Sequence, residues 1–240
     1  MSAEPHEPQD RIFDRTGALA GPSWRDLMGE GRAALRAHLR RPAHAVGPVP
    51  RGDGHPVIVL PAFLCSDTMT RGFRDWLAGL GYAVEGWGSG VNLGPAAAVT
   101  AVDRLLRHST ERSGRQASLV GYSLGGVLAR ALANAHPGRV RRVITVCSPF
   151  RLPTASPLEP LYRALTPLHS GRHLLAAHLT AAPPVPTTAI YTRRDGVVAW
   201  RSCVDDPGEN RENVAVDGAH TTMLGNPGAL RVTAERLARS

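Results

Sequence analysis

The sequence predicts a single α/β domain: a mostly parallel sheet of about six strands, helices on both faces, and a short cap-like insertion in the carboxyl half. Three observations predict it. Short runs of β-branched and aliphatic residues, of the kind buried on both faces of a parallel sheet, alternate with helical stretches. The 240 residues, 42% of them hydrophobic, suffice for one sizeable core and suit one domain better than two. The pattern Gly121-Tyr122-Ser123-Leu124-Gly125 stands where an apolar strand should turn sharply into a helix.

Residues 1–54 read as an N-terminal arm, helix and linker. Pro and charge dominate the first ten residues, and Ser23 is placed to N-cap a basic helix over 24–41 that carries Leu27, Leu35 and Leu39. Its apolar face is thin, so it is expected to pack on the flank of the domain, with peripheral contact to a membrane surface as the alternative. Residues 42–54 form a Pro- and Gly-containing linker.

The domain proper spans residues 55–240 and opens with a strand over 57–60. A loop follows, then Asp67 as N-cap of a helix reaching Leu80, which Gly81 stops. A short strand over 82–85 leads into the Gly-rich loop 86–94, and Pro95 opens a helix extending to Arg107. Residues 117–120 are the strand under the sharp turn, and the helix after Ser123 ends near Pro137. A strand over 140–146 precedes the proline-rich segment 151–186, with amphipathic stretches at 158–168 and 173–179. Such an insertion reads as a cap over a site or as a packed surface excursion. Strands over 187–192 and 213–216 and a helix over 227–239 complete the chain.

The net charge is +8, yet all 28 basic residues are Arg and they are scattered. That pattern fits a compositional habit better than a phosphate-binding surface, and no nucleic-acid partner is expected. Cys65, Cys147 and Cys203 are too few and too dispersed for a disulfide framework, which points to a reduced compartment. With no apolar leader and no run long enough to cross a bilayer, the protein is expected to be cytoplasmic. His169, His173 and His178 lack convergent partners, so no metal site is expected.

A lone serine hydroxyl is a poor nucleophile, so Ser123 needs a base, and the base needs a group that fixes its tautomer. His220 follows the last strand and Asp195 follows the strand before it, in the order nucleophile, acid, histidine. Loops at the carboxyl edge of a parallel sheet converge, which brings these residues together. Asp205 and Asp206 lie further along a loop, and Asp217 is too near His220 in the chain to orient it. Two backbone donors are needed for a tetrahedral oxyanion. The N–H of Leu124, just after the serine, is one, and the loop after the first core strand offers Phe63 as the other.

The elbow 121–125, the acid loop 195–198 and the histidine loop 218–220 together resemble the α/β-hydrolase superfamily, and the compact core resembles its small bacterial lipases and esterases. The similarity runs over residues 55–240. Where that superfamily is expected to carry a His-Gly pair before the second oxyanion donor, this chain has Pro61-Ala62. The resemblance implies a serine hydrolase cleaving carboxylic esters through an acyl-enzyme on Ser123, with no metal or organic cofactor. Transfer of the same acyl group in a thioesterase or acyltransferase, and a non-catalytic relative that binds a ligand, are the other readings. Leu64, Trp87, Asn92, Tyr122 and Trp200 are candidate substrate-binding residues, with Cys65 a further wall position. Leu161, Leu165, Leu168 and Leu174 in the insertion suit a small-molecule ester with an apolar acyl group. The oligomeric state is left open by the sequence.

Overall fold

Alternate side chains of the central strands face opposite ways, and that alternation sets the layers of the molecule. The computed structural model describes residues 21–39, 46–151, 154–164 and 181–239. Its strands are β1 (Pro56–Leu60), β2 (Ala83–Gly86), β3 (Ala117–Tyr122), β4 (Val140–Val146), β5 (Thr187–Tyr191) and β6 (Arg211–Ala215). Its helices are α1 (Trp24–Leu39), α2 (Asp67–Leu80), α3 (Pro95–Ser113), α4 (Leu124–Ala135), α5 (Glu159–Ala164) and α6 (Pro227–Leu237). The strands form one six-stranded sheet in the order β2-β1-β3-β4-β5-β6. Every pairing in it is parallel.

Val57 and Val59 of β1, Val120 and Tyr122 of β3 and Ile144 and Val146 of β4 face Phe73 and Leu77 of α2 and Leu230 and Leu237 of α6. The intervening Ile58, Leu60, Leu119 and Val143 meet Val102 and Leu106 of α3 and Leu128 and Leu132 of α4. Burial on both faces explains the unbroken apolar run that marks β1, and in β4 the apolar Val143, Ile144 and Val146 are likewise buried. Because all strands point the same way, the loops after β1, β3, β4, β5 and β6 gather at one edge.

The elements fall where the sequence places them, with instructive differences. The cap of α2 is Ser66, whose side chain accepts from the Thr68 N–H; Asp67 is the first helical residue. Helix α3 runs past Arg107 to Ser113 and ends where Gly114 turns left-handed at φ 65°; within its last turns Thr110 Oγ1 donates to the Leu106 carbonyl (2.9 Å) and Ser113 Oγ to the Ser109 carbonyl (2.8 Å). In α1, Ser23 and Asp26 form reciprocal capping bonds, and Leu27 packs with Tyr191, Val197 and Val198. Leu35 instead stands exposed. Of the insertion, α5 lies within the described residues; Leu165, Leu168, Leu174 and the histidines at 169, 173 and 178 lie outside them. No helix among the described residues is long and apolar enough to cross a membrane.

Candidate active site

Ser123 sits between β3 and α4 with φ 52° and ψ −122°, a backbone conformation that non-glycine residues rarely adopt. The turn is held by its surroundings. The Ser123 N–H donates to the Val146 carbonyl at 2.8 Å, tying the turn to the end of β4. A Cβ on Gly121 would lie 2.3 Å from the Gly126 Cα, and one on Gly125 would lie 2.3 Å from the Leu60 carbonyl oxygen. Only glycine permits α4 to start this close to β1 and β3. Leu124 opens α4, so its N–H belongs to the first turn, where helical donors have no acceptor within the helix.

Asp195 and His220 meet at this edge. Asp195 Oδ2 lies 2.7 Å from His220 Nδ1, and both side chains are buried. Asp195 Oδ1 accepts from the N–H groups of Val197 and Val198, each at 2.9 Å, so the Asp-Gly turn itself orients the carboxylate. A carboxylate on Nδ1 holds the proton there and leaves Nε2 as the acceptor. The phenol of Tyr122 donates to the His220 carbonyl at 2.9 Å, and the two rings lie 5.3 Å apart. Burial pushes that phenol well above its ordinary range. Tyr122 therefore braces the histidine loop from inside the core.

Cys147, directly after β4 and at φ 48°, is the neighbour that sequence reasoning passed over. Its sulfur, the Asp195 carboxylate and His220 are mutually within 4.8 Å. Burial pushes the Cys147 thiol well above its usual range, and the nearby Asp195 charge adds to the shift. Cys203 is raised in the same way. These are atom types that bind metal, and among them the imidazole Nδ1 engages Asp195. The position of Cys147 right after a core strand was the available signal.

The rival acids are engaged elsewhere. Asp205 is buried in a two-pronged pair with Arg130 (2.5 and 3.1 Å), whose guanidinium lies over the Phe150 ring. Asp206 pairs with Arg151.

Phe63 lies in the loop after β1, and Asn92 braces that loop. The fully buried Asn92 donates through Nδ2 to the Pro61 carbonyl (2.8 Å), and its backbone exchanges bonds with Leu64 and Cys65 (2.7 and 2.8 Å). Asn92 thus shapes the donor loop. Leu64 is held at φ 60° with its side chain 41% exposed, and the Phe63 ring leans on Tyr162 of α5 at 5.2 Å. Trp87, by contrast, is buried in the core with α3 and α4, its indole N–H on the Gly90 carbonyl. Asp67 accepts from the Trp87 and Gly88 N–H groups at 3.0 and 2.9 Å, closing the base of that loop. Trp200 stacks on Tyr191 at 5.6 Å with the guanidinium of Arg201 over its ring.

A family model described as alpha/beta hydrolase fold matches residues 101–172, the stretch that holds the elbow. No curated protein matches the sequence. Among solved structures, one from the metagenome-derived lipolytic enzymes LipS and LipT aligns with a TM-score of 0.56 at 18% identity, over 74% of this chain and 89% of that one. Lipase B of Aspergillus fumigatus aligns at 0.60 and 17% over 81% of this chain, which spans 55% of the lipase. A monoacylglycerol lipase of Paleococcus ferrophilus aligns at 0.55 and 15%, over 78% and 96% of the two chains. Sheet order, parallel pairing, helices on both faces and these likenesses lead to one conclusion: the chain has the α/β-hydrolase fold.

Proposed function

We propose that the protein is a serine hydrolase of carboxylic esters, of the esterase or lipase type. The observation that carries this reading is the 2.7 Å contact between Asp195 and His220 at the sheet edge where Ser123 occupies its strained turn. In the proposed reaction His220 Nε2 takes the Ser123 hydroxyl proton as Oγ attacks the ester carbonyl. The N–H groups of Leu124 and Phe63 receive the oxyanion, and Asp195 steadies the imidazolium. Collapse of the tetrahedral species breaks the ester C–O bond, and His220 returns the proton to the departing alcohol. Water, deprotonated by the same histidine, then attacks the acyl-Ser123 carbonyl. Collapse of this second intermediate restores the serine and frees the acid.

Support for an apolar acyl group comes from Leu64, Val91 and Leu93, exposed on two segments that Asn92 ties together. In this reading the insertion serves as a cap, and of its described residues Tyr162 of α5 meets the loop after β1 through the Phe63 ring. The three unpaired cysteines fit a reducing, cytoplasmic setting.

The test is covalent labelling. A fluorophosphonate should add one phosphonyl group to the parent protein, read by intact mass, and none to Ser123→Ala. Equal labelling of both, or of neither, rejects the proposal. Rates on p-nitrophenyl esters of increasing chain length then read the acyl preference.

A further inference from the structure

Glu30 lies on α1, the helix that the sequence assigns to the periphery, yet it is 3% exposed. Its Oε1 accepts from the Gly196 N–H at 2.8 Å and from the His220 N–H at 2.9 Å. Its Oε2 accepts from the Thr221 N–H at 2.9 Å and the Thr221 hydroxyl at 2.8 Å, and that hydroxyl also reaches the Glu30 carbonyl at 3.0 Å. Gly196 directly follows Asp195. A single carboxylate oxygen therefore bridges the residue after the acid and the backbone of the histidine.

A carboxylate taken out of water needs strong donors, and backbone N–H groups aimed at a full charge are among the strongest neutral ones. Glu30 receives such donors from the acid loop and the histidine loop together, so α1 docks at the junction of the two. The approach is close: a Cβ at position 196 would lie 2.6 Å from the Asp26 carbonyl oxygen and 2.8 Å from the Glu30 Cγ. Glycine at 196 thus serves the entry of Glu30 as well as the turn.

We propose that Glu30 is a positioning residue, which sets the spacing and orientation of His220 against Asp195 by clamping their two loops from behind. This rests on the esterase reading for its effect on turnover, although the geometric effect on His220 stands apart from it. Thr192 Oγ1 adds a second tie, donating to the Gly218 carbonyl (2.8 Å) and accepting from the Arg194 N–H (3.2 Å), but it does not reach the His220 backbone. Without the clamp the Asp195–His220 bond still forms, but the imidazole is no longer held in one place relative to Ser123. Misplacement of a catalytic group by about 1 Å costs roughly 10²-fold in rate.

The experiment compares the parent chain with Glu30→Gln and Glu30→Ala. Three quantities are read: kcat and KM on p-nitrophenyl butyrate, the rate of fluorophosphonate labelling, and the imidazole signals of His220 by 15N-histidine NMR. Glu30→Ala is expected to lower kcat by roughly 10²-fold with KM within about twofold, the split expected when positioning rather than binding is lost. Glu30→Gln keeps the side-chain shape and a carbonyl acceptor but turns a donor toward an N–H group; it should fall between the two. The proton on His220 Nδ1 should broaden or shift in both variants. Since Glu30→Gln preserves the packing, it supplies the result if Glu30→Ala does not fold. Parental kcat and an unmoved Nδ1 proton in both variants overturn the proposal, as does activity loss that merely tracks loss of folded protein. Failure of the parent to label at Ser123 overturns the esterase reading instead, and the Nδ1 proton still reports on Glu30.

Discussion

Asp195 grips His220 through one oxygen and its own turn through the other: Oδ2 lies 2.7 Å from His220 Nδ1 while Oδ1 takes the Val197 and Val198 N–H groups. In Asp195→Asn the amide oxygen can keep the turn, but the amide nitrogen then faces Nδ1 and forces the wrong tautomer. Turnover of p-nitrophenyl esters should drop by about 10⁴-fold, with melting temperature nearly unchanged.

Asn92 acts on the opposite side of the serine. Asn92→Ala leaves the Pro61 carbonyl and the Gly94 N–H without their partner. It should cost about 1–3 kcal/mol by chemical denaturation. The Phe63 loop then loses its brace, so kcat should fall more than KM rises.

Arg130 and Asp205 make a stability prediction. Asp205→Ala strands a guanidinium that is fully buried. The expected loss is about 3–5 kcal/mol, with parental turnover per folded molecule. A large kcat defect in the folded fraction would instead make Asp205 a catalytic acid.

Glycine substitutions should split by site. At Gly121 an added Cβ meets the backbone of Gly126 and Gly125 at 2.3–2.4 Å, so Gly121→Ala should destabilise by about 3 kcal/mol or more and abolish labelling. Gly72, inside α2, has nothing within 4 Å of its Cβ direction. Gly72→Ala should therefore raise stability by about 0.5–1 kcal/mol, read from the same denaturation curves.

Alkaline pH should weaken the fold. Burial, then the Asp195 charge, raises the thiols of Cys147 and Cys203 above the values they have in the unfolded chain. A group raised in the folded state lends stability that is complete below its unfolded pKa, about 8.5 for a thiol, and is lost as pH climbs toward the folded value. Melting temperature should fall from about pH 8.5 upward, and Cys203→Ala should flatten part of that fall. Thiol reagents near neutral pH should reach half-buried Cys65 before either buried sulfur.

The strands were legible because burial on both sheet faces leaves a plain signature, as at residues 140–146, where the predicted and observed strands coincide. The meeting of Asp195 and His220 was legible because a parallel sheet brings the loops after its strands to one edge. Other assignments depended on contacts that local sequence does not encode. Ser66 and Asp67 are both good cap residues, and the choice between them follows from the distant Trp87 and Gly88 N–H groups that engage the Asp67 carboxylate. Trp87 reads as a wall residue from its Gly-rich loop, but its ring is buried in the core cluster that α3 and α4 form with the sheet. Glu30 left no local trace: its partners lie 166 and 190 residues away.

The hydroxyl of Tyr122 and the carbonyl of His220, 98 residues apart, are joined by one hydrogen bond across the core. Between their strands lie β4 and β5, so that bond closes only after the carboxyl-terminal half has docked onto β3. Pairings this distant in sequence are slow to form, because the entropy of closing the loop comes before the contact does. On the proposed function, recovery of Ser123 labelling after denaturation should therefore time the arrival of the last strand, while helical signal, arising from local contacts, should return first.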